Sequence, residues 1–549
     1  MQDFHKSVVY QIYPKSFQDT TGSGTGDLMG VVKRLDYLKE LGVDYLWLTP
    51  FFVSPQNDNG YDVADYRAID PRYGTMEDFE TLAREAKARG IGLMLDMVFN
   101  HTSTEHEWFR RALAGEERYK NYYIRRPARP DGGAPTNWVS KFGGSAWAYV
   151  PEWGEYYLHL FDRTQADLNW ENPEVRAELA DVLRFWIAKG VSGFRFDVVN
   201  LVSKPDVFED DLEGDGRRFY TDGPRIHQYL HELCAAAGLQ DNGMVTVGEM
   251  SSTTIENCVG YSNPERKELS MTFSFHHLKV DYPNQDKWAL PEEGFSPLPG
   301  LREVLNRWQL GMQAGGGWNA LFWCNHDQPR VVSRFGDEGE YRVRSAQMLG
   351  TLIHLMRGTP YIYQGEEIGM TNAGFTALEQ YRDVESLNYY HILKERGKSE
   401  KEIYAILAAR SRDNSRTPMQ WDDGPNAGFT TGEPWLAVNP NHTAINAQAD
   451  RAAEDSVFRY YQKLVALRKK YPVIAEGTYI PMLRDHPAVF AYRRELDGVT
   501  LDIYCNMTAQ PAQVDLEGAN GRVLIGNYPA PQRAEKLTLR PYEALAVLY

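Results

Sequence analysis

Cysteine is scarce in this chain. Cys234, Cys258, Cys324 and Cys505 are the only four among 549 residues, and they stand too far apart for a CxxC pair or a disulfide framework. Such residues are expected to be buried free thiols in a reducing compartment. Long apolar runs are also missing, so no segment is expected to span a bilayer. The opening MQDFHKSVVYQIYPKSF lacks the basic segment, apolar stretch and small-residue cleavage site of a secretory signal, which points to a cytoplasmic protein. Positive charge is in deficit, 59 Lys and Arg against 75 Asp and Glu, for a net charge of −16. That field repels nucleic acid and anionic lipid, so neither nucleic acid nor membrane is expected as a partner, and no obligate protein partner is implied. An anionic substrate would need a local cluster of cations to overcome it. Histidines at HxH or HExxH spacing are absent too, which removes the common zinc arrangements.

What remains is the composition of a folded protein, 42% hydrophobic and 24% charged, with more length than one ordinary core accommodates. The 33 Tyr and 13 Trp suit a pocket that stacks the flat faces of sugar rings. Short β-branched or aromatic runs alternate with amphipathic stretches, the pattern of β/α units building a parallel sheet. Strands are predicted at VVYQIY, DYLWLTP, IGLMLDMVF, GFRFDVV, MVTVGE, LSMTFSF, NALFWCNH and TPYIYQGEE, eight in all, the number that closes a (β/α)8 TIM barrel. Helices are predicted at VVKRLDYLKELG, MEDFETLAREAKARG and PEVRAELADVLRFWIAKG, each ending at a glycine suited to a C-cap.

A stretch after the third strand lacks helical periodicity and is rich in Trp, Tyr, Gly and Pro. It is expected to be a small inserted subdomain. Beyond about Ile474 the texture becomes alternating, at GTYIPML, AVFAYRREL, VTLDIYCN, RVLIGNY and LTLRPYEALAVLY, and predicts an antiparallel β-sandwich domain. The expected division is barrel over 1–100 and 171–474, insertion over 101–170, and C-terminal domain over 475–549.

Catalytic residues of such a barrel sit at the carboxyl ends of its strands. There the sequence offers Asp96, Asn100 and His101 after the third, Arg195 and Asp197 after the fourth, Glu249 after the fifth, and His326 and Asp327 after the seventh. One such Asp alone would be read as a loop cap or a surface charge. Three acids converging from separate strands suit glycoside hydrolysis, in which one carboxylate attacks and another acid protonates the leaving oxygen.

These four segments resemble the signature regions of the α-amylase superfamily, and the likeness runs through essentially the whole chain. VVYQIYPKSF, DNGYDVADY, SRDNSRTPMQW and NAGFTTGEPW are similar to the branch that holds oligo-1,6-glucosidases, dextran glucosidases and trehalose-6-phosphate hydrolases. The resemblance implies Asp197 as the nucleophile that forms a covalent glucosyl ester. It implies Glu249 as acid and then base, and Asp327 as the grip on sugar hydroxyls. Arg195 would keep Asp197 ionised, whereas Glu249, which must begin protonated, should have a less compensated environment. His101 and His326 would bind hydroxyls of the terminal glucose, and Asp58, Tyr61 and Arg412 would close the pocket behind it. Val198 resembles the residue of members that cleave α-1,6 or α,α-1,1 bonds, so maltose is not the expected substrate.

Within the branch, LSMTFSFHHLKVDYP, DKW, EGDGRRFYTDGPR and FGDEGEYRV look most like the members acting on trehalose 6-phosphate. A phosphorylated disaccharide requires cations on the leaving-group side. Lys279 and Lys287 after the sixth strand, and Arg217 and Arg218 after the fourth, are the candidates, each with a solvated surface charge as the alternative. Neutral isomalto-oligosaccharides are the alternative substrate, and transfer of glucose to a second sugar is a further outcome for the same ester. Amylase-like partners of membrane transporters typically carry an anchor and have lost catalytic acids, unlike this chain. No cofactor is implied for the chemistry. The loop DTTGSGTGD resembles the calcium loop of the branch and offers Asp19, Thr21, Ser23, Thr25 and Asp27 to a structural Ca or Mg ion. Thr21 and Ser23 stand where relatives place Asn or Asp, and a loop built around its glycines is the alternative.

Overall fold

The computed structural model describes residues 3–516, 521–529 and 536–549. Eight parallel strands follow one another round a barrel: β1 Val9–Ile12, β2 Tyr45–Leu48, β3 Gly92–Met97, β4 Gly193–Phe196, β5 Val245–Met250, β6 Met271–Ser274, β7 Ala320–Leu321 and β8 Thr359–Tyr363. Each pairs with its neighbours in sequence, β8 returns to β1, and a parallel bridge from Thr272 to Asn319 closes β6 on β7. Runs such as YLWL and GFRF are buried along their whole length because side chains fill the barrel inside and helices cover it outside.

Two of the three predicted helices are present as Met76–Ala88 and Pro173–Ala188, the first is broken at Arg34 into Leu28–Lys33 and Leu35–Leu41, and the glycines that follow, Gly42, Gly90 and Gly190, have φ of 93°, 74° and 94°. β7 is much shorter than NALFWCNH led us to expect. It ends at Leu321, and Phe322–Cys324 run on outside the sheet to a turn in which Asn325 Oδ1 accepts from Asp327 N at 2.8 Å.

After β3 the chain leaves the barrel through a neck in which His101–Ser103 pairs antiparallel with Gln165–Asp167. Beyond it lie a three-stranded sheet and two helices, Glu107–Leu113 and Glu117–Lys120, where the sequence showed no helical periodicity. Seven and four residues are too few for a 3.6-residue repeat to register, and the first is capped by His106 Nδ1 rather than by a Ser, Thr, Asp or Asn. Buried Lys204 fastens the neck, its Nζ reaching Asp167 Oδ2 at 2.7 Å and Asn100 Oδ1 at 3.0 Å.

A second excursion after β8 carries helices Val384–Glu395, Glu400–Arg410 and Asp413–Arg416 to the barrel mouth. The C-terminal part is a five-stranded antiparallel sheet facing a two-stranded one, with Val489, Tyr504, Val514, Leu539 and Val547 between them. The sequence missed the strand Ala512–Asp515 and ran two others together. The chain breaks between them at a turn in which Glu543 N donates to Arg540 O and Tyr542 has φ 50°. Arg494 joins this domain to the barrel by donating to the carbonyls of Leu355, Ile474 and Gly477.

Candidate active site

At the carboxyl end of the barrel is a cavity of about 600 Å³ lined by Asp58, Tyr61, His101, Asp197, Glu249 and Asp327 among others. Its floor is organised by Arg195, which projects from β4 and is 1% exposed. The guanidinium Nη1 lies 2.6 Å from Asp96 Oδ1 and 2.5 Å from Asp197 Oδ1, while Nη2 contacts Glu249 Oε2. A planar fork of donors thus holds Asp197, just past β4, and Glu249, within β5, side by side. We expected Glu249 to stand in less compensated surroundings; instead it shares the cation with Asp197. The reason is geometric, since both acids face the one guanidinium at the barrel axis. Asp96 also accepts from Tyr61 Oη at 2.9 Å and Trp47 Nε1 at 3.1 Å. Burial pushes its carboxyl up to about 7 against the opposing pull of Arg195.

Val198, directly after Asp197, has φ 36° and ψ 38°, a left-handed conformation that a β-branched residue adopts only under constraint. Its side chain is held in an apolar cluster with Trp138, Trp147 and Tyr220. The strain is stored beside Asp197, which is anchored by its own N–H to Met97 O at 3.0 Å.

On the opposite side stands Asp327. Arg416 Nη2 donates to its Oδ1 at 2.8 Å and Arg412 Nη1 to the same oxygen at 3.3 Å. Burial works against the charge, but His326 in the acid range where it is protonated, and Arg412, Arg416 and Arg195 throughout, outweigh it and hold the carboxyl well below the ordinary carboxylate range. His326 is fully buried and stacks on Tyr61 with ring centroids 5.0 Å apart. Burial lowers its pKa to about 3, so the ring is neutral. Gln11 Nε2 donates to its Nδ1 at 2.8 Å, which places the ring proton on Nε2. His326 stands behind the lining, its Nε2 3.3 Å from Asp327 Oδ2, whereas His101 does line the cavity, with Asn100 Nδ2 meeting its Nδ1 at 3.2 Å and Tyr61 O its Nε2 at 3.1 Å, so both its nitrogens have protein partners.

The inner end is closed by Asp58 and Arg412, paired at 3.1 Å, with Phe142 from the insertion 5.0 Å from the guanidinium. Gln165 Nε2 donates to Asp58 Oδ2 at 3.0 Å. Asp383, which the sequence did not single out, receives Arg412 Nη2 at 2.5 Å. Gln11, Gln165, Asp383, Glu385 and Arg416 were all missed. Only Arg416 carried a local signal, standing one helical turn after Arg412 in SRDNSR.

The four predicted cations part company. Lys279 and Arg217 line the open side of the cavity, Arg217 chelated by Asp215 at 2.5 Å. Lys287 also reaches it but is tied to Glu385 at 2.6 Å. Arg218 does not line it and pairs instead with Asp211 at 2.9 Å and Glu213 at 3.1 Å, because consecutive helical residues point in different directions. A further cation, Lys141 of the insertion, lines the same side and was not anticipated.

The Asp19–Asp27 loop lies apart from this cavity and does not fit the expected cation. Asp19 accepts from the N–H groups of Thr21, Gly22 and Gly24 and from the hydroxyls of Thr21 and Thr430. Asp27 is likewise occupied by Thr20 and by Gly30 N. Thr21 gives its hydroxyl to Asp19, and Ser23 gives its own to Thr25 O. Among the described residues no group of three or more His, Cys, Asp or Glu side chains converges as a metal site. Nor is any described helix long and apolar enough to cross a membrane.

With this geometry in place, comparison with known proteins is informative. Residues 11–477 match the α-amylase catalytic domain, and 482–545 the C-terminal domain of maltogenic amylase. The chain is 57% identical to the trehalose-6-phosphate hydrolase of Escherichia coli K12, covering 99% of this chain and 98% of that one. It is 47% identical to the oligo-1,6-glucosidase of Halalkalibacterium halodurans, over 100% and 99%. The crystal structure of Bacillus licheniformis trehalose-6-phosphate hydrolase superposes with a TM-score of 0.94 at 53% identity, covering 99% of each chain. Barrel, converging acids and full-length similarity agree, and the chain belongs to the α-amylase family of glycoside hydrolases.

Proposed function

We propose that this enzyme hydrolyses trehalose 6-phosphate to glucose and glucose 6-phosphate with retention of configuration. The observation that carries the mechanism is the single guanidinium of Arg195 touching both Asp197 and Glu249. Two acids within reach of one guanidinium suit a retaining pair, whose carboxyls stand about 5 to 5.5 Å apart, against about 6.5 to 9.5 Å in inverting enzymes. Asp197 attacks the anomeric carbon while Glu249 gives its proton to the bridging oxygen, and glucose 6-phosphate departs. Glu249 then takes a proton from water, which opens the glucosyl ester. Glu249 parts from Arg195 when it carries the proton, and Arg195 is left to Asp197 and Asp96.

Asp327, kept ionised by its arginines, grips hydroxyls of the distorted ring and favours the positive charge that develops there. Neutral His326, its Nε2 3.3 Å from Asp327 Oδ2, acts through that carboxylate by positioning it against the glucose hydroxyls. Tyr61 stacks behind the ring, Asp58 and Arg412 bound it, and His101 shapes the wall. Lys279, Arg217 and Lys287 face the phosphate on the open side. Acid, nucleophile and stabilising charges are all side chains, so the chemistry calls for no cofactor. A Ca or Mg ion near Asp19, Thr21, Ser23, Thr25 and Asp27 would be structural, and would have to displace the loop's own donors. The four cysteines are all buried and free, which suits a cytoplasmic enzyme.

A neutral isomalto-oligosaccharide is the second reading, favoured by the neutralisation of Lys287 by Glu385. Assay on trehalose 6-phosphate and isomaltose side by side separates the two: a kcat/KM higher on isomaltose overturns our proposal. Trapping with a 2-fluoro glucosyl donor should add one fluoroglucosyl group to a peptide at Asp197, and a label elsewhere would refute the assignment.

A further inference from the structure

Resting on the proposed phosphorylated substrate, we propose that Lys141, delivered by the insertion, is a specificity-determining residue that binds the phosphate beside Glu249. Its Nζ lies 3.3 Å from Ser251 Oγ, and Ser251 is two residues beyond Glu249 at the end of β5. The ammonium head therefore sits next to the group that protonates the leaving oxygen, on the side where the departing sugar must lie. Lys141 shares this wall with Arg217 and Lys279.

Pairing sets Lys141, and with it Lys279, apart from the other cations on this wall: among the described residues neither forms an ion pair with a carboxylate, and only Lys141 stands beside Ser251. Arg217 is chelated by Asp215, Lys287 by Glu385, and Arg396 stands 3.6 Å from Asp286. Among the described residues no carboxylate forms an ion pair with Lys141, and three N–H donors meet one hydroxyl. The charged or titratable groups around it are Arg217, Asp215, Lys279 and Lys204, with the Tyr220 ring centroid 5.7 Å away. Burial first, and then the surrounding cations, lower its pKa to about 8. An ammonium crowded by cations, with Asp215 committed to Arg217 and no carboxylate of its own, is unfavourable alone, and a dianionic phosphate removes the imbalance.

The position is also fixed rather than loose. Lys141 N donates to Leu160 O at 2.8 Å, and Val139 N donates to Asp215 O at 3.0 Å, which ties the insertion to the segment carrying Arg217. Trp138 packs on Phe219 with ring centroids 5.9 Å apart and locks the same junction. Oxygens of a phosphate held by Lys279 and Arg217 would thus find a third, preplaced donor.

The test compares wild type, Lys141→Met and Lys141→Arg on trehalose 6-phosphate and on p-nitrophenyl α-glucoside, from about pH 6.5 to about pH 9.5. Lys141→Met should lower kcat/KM for the phosphorylated substrate by about 10- to 100-fold, mainly through KM, and leave the neutral substrate unchanged. Lys141→Arg should retain activity on both. The sign of the pH effect follows from the lowered pKa: the cation is present below about 8 and is lost as pH rises through it. Wild-type kcat/KM for trehalose 6-phosphate should fall there relative to p-nitrophenyl α-glucoside, which shares the titration of Glu249, and in Lys141→Arg, whose guanidinium stays charged, that relative fall should shrink. Equal losses on both substrates in Lys141→Met, or an undiminished relative fall in Lys141→Arg, overturn the proposal. If wild type does not prefer trehalose 6-phosphate to unphosphorylated trehalose, the proposed substrate is what fails.

Discussion

Gln11 shows how much a residue can contribute without touching the substrate. Its amide N–H donates to His326 Nδ1 at 2.8 Å and so decides which ring nitrogen carries the proton in a histidine too buried to be charged. Gln11→Glu would turn the donor into an acceptor, draw the ring proton to Nδ1 and leave Nε2 as an acceptor opposed to the Asp327 carboxylate. We expect kcat/KM to fall about 10- to 100-fold, as for other residues that orient a functional histidine, with the melting temperature little changed. Steady-state kinetics together with the ring ¹⁵N shifts of His326 would check it, and wild-type activity with the tautomer altered would refute the assigned role. The three acids were legible from the sequence because strand ends in a barrel are few and polar residues there conspicuous. Gln11 was not, for it lies inside an apolar strand where nothing in VYQI marks its partner.

Among the elements, the barrel strands and their helices were legible because periodicity and terminal glycines act locally. The missed elements depend on partners distant in sequence. The helix at Glu107–Leu113 and the strand at Ala512–Asp515 gain their order from packing, and β7 stops at Leu321 although its apolar run continues to Cys324. The insertion itself hangs on Lys204, whose contacts with Asp167 and Asn100 cross the neck. Asn100 also bonds His101, so the fastening reaches the cavity wall. Lys204→Met removes one partner of a buried ion pair and should cost about 3 to 5 kcal/mol. Denaturant unfolding measures this, and faster proteolysis between 104 and 164 should accompany it. A loss below about 1 kcal/mol, the worth of an exposed pair, would show that the neck holds without it.

For the whole molecule, Arg494 is the test of how barrel and C-terminal domain cohere. Its guanidinium is buried and serves three carbonyls drawn from both sides of the junction. Arg494→Leu leaves those oxygens unsatisfied and should lower stability by about 3 kcal/mol or more. The denaturation midpoint should shift while KM is unaltered, and limited proteolysis should cut near residue 477 first. A wild-type midpoint would mean that apolar packing alone joins the two. The wall of Asp58 and Arg412 has a consequence at this scale as well. A blind alley has one doorway, so traffic through it must take turns. The departing half of the sugar has to clear the entrance before water can arrive, and whatever molecule loiters there in between inherits the glucose.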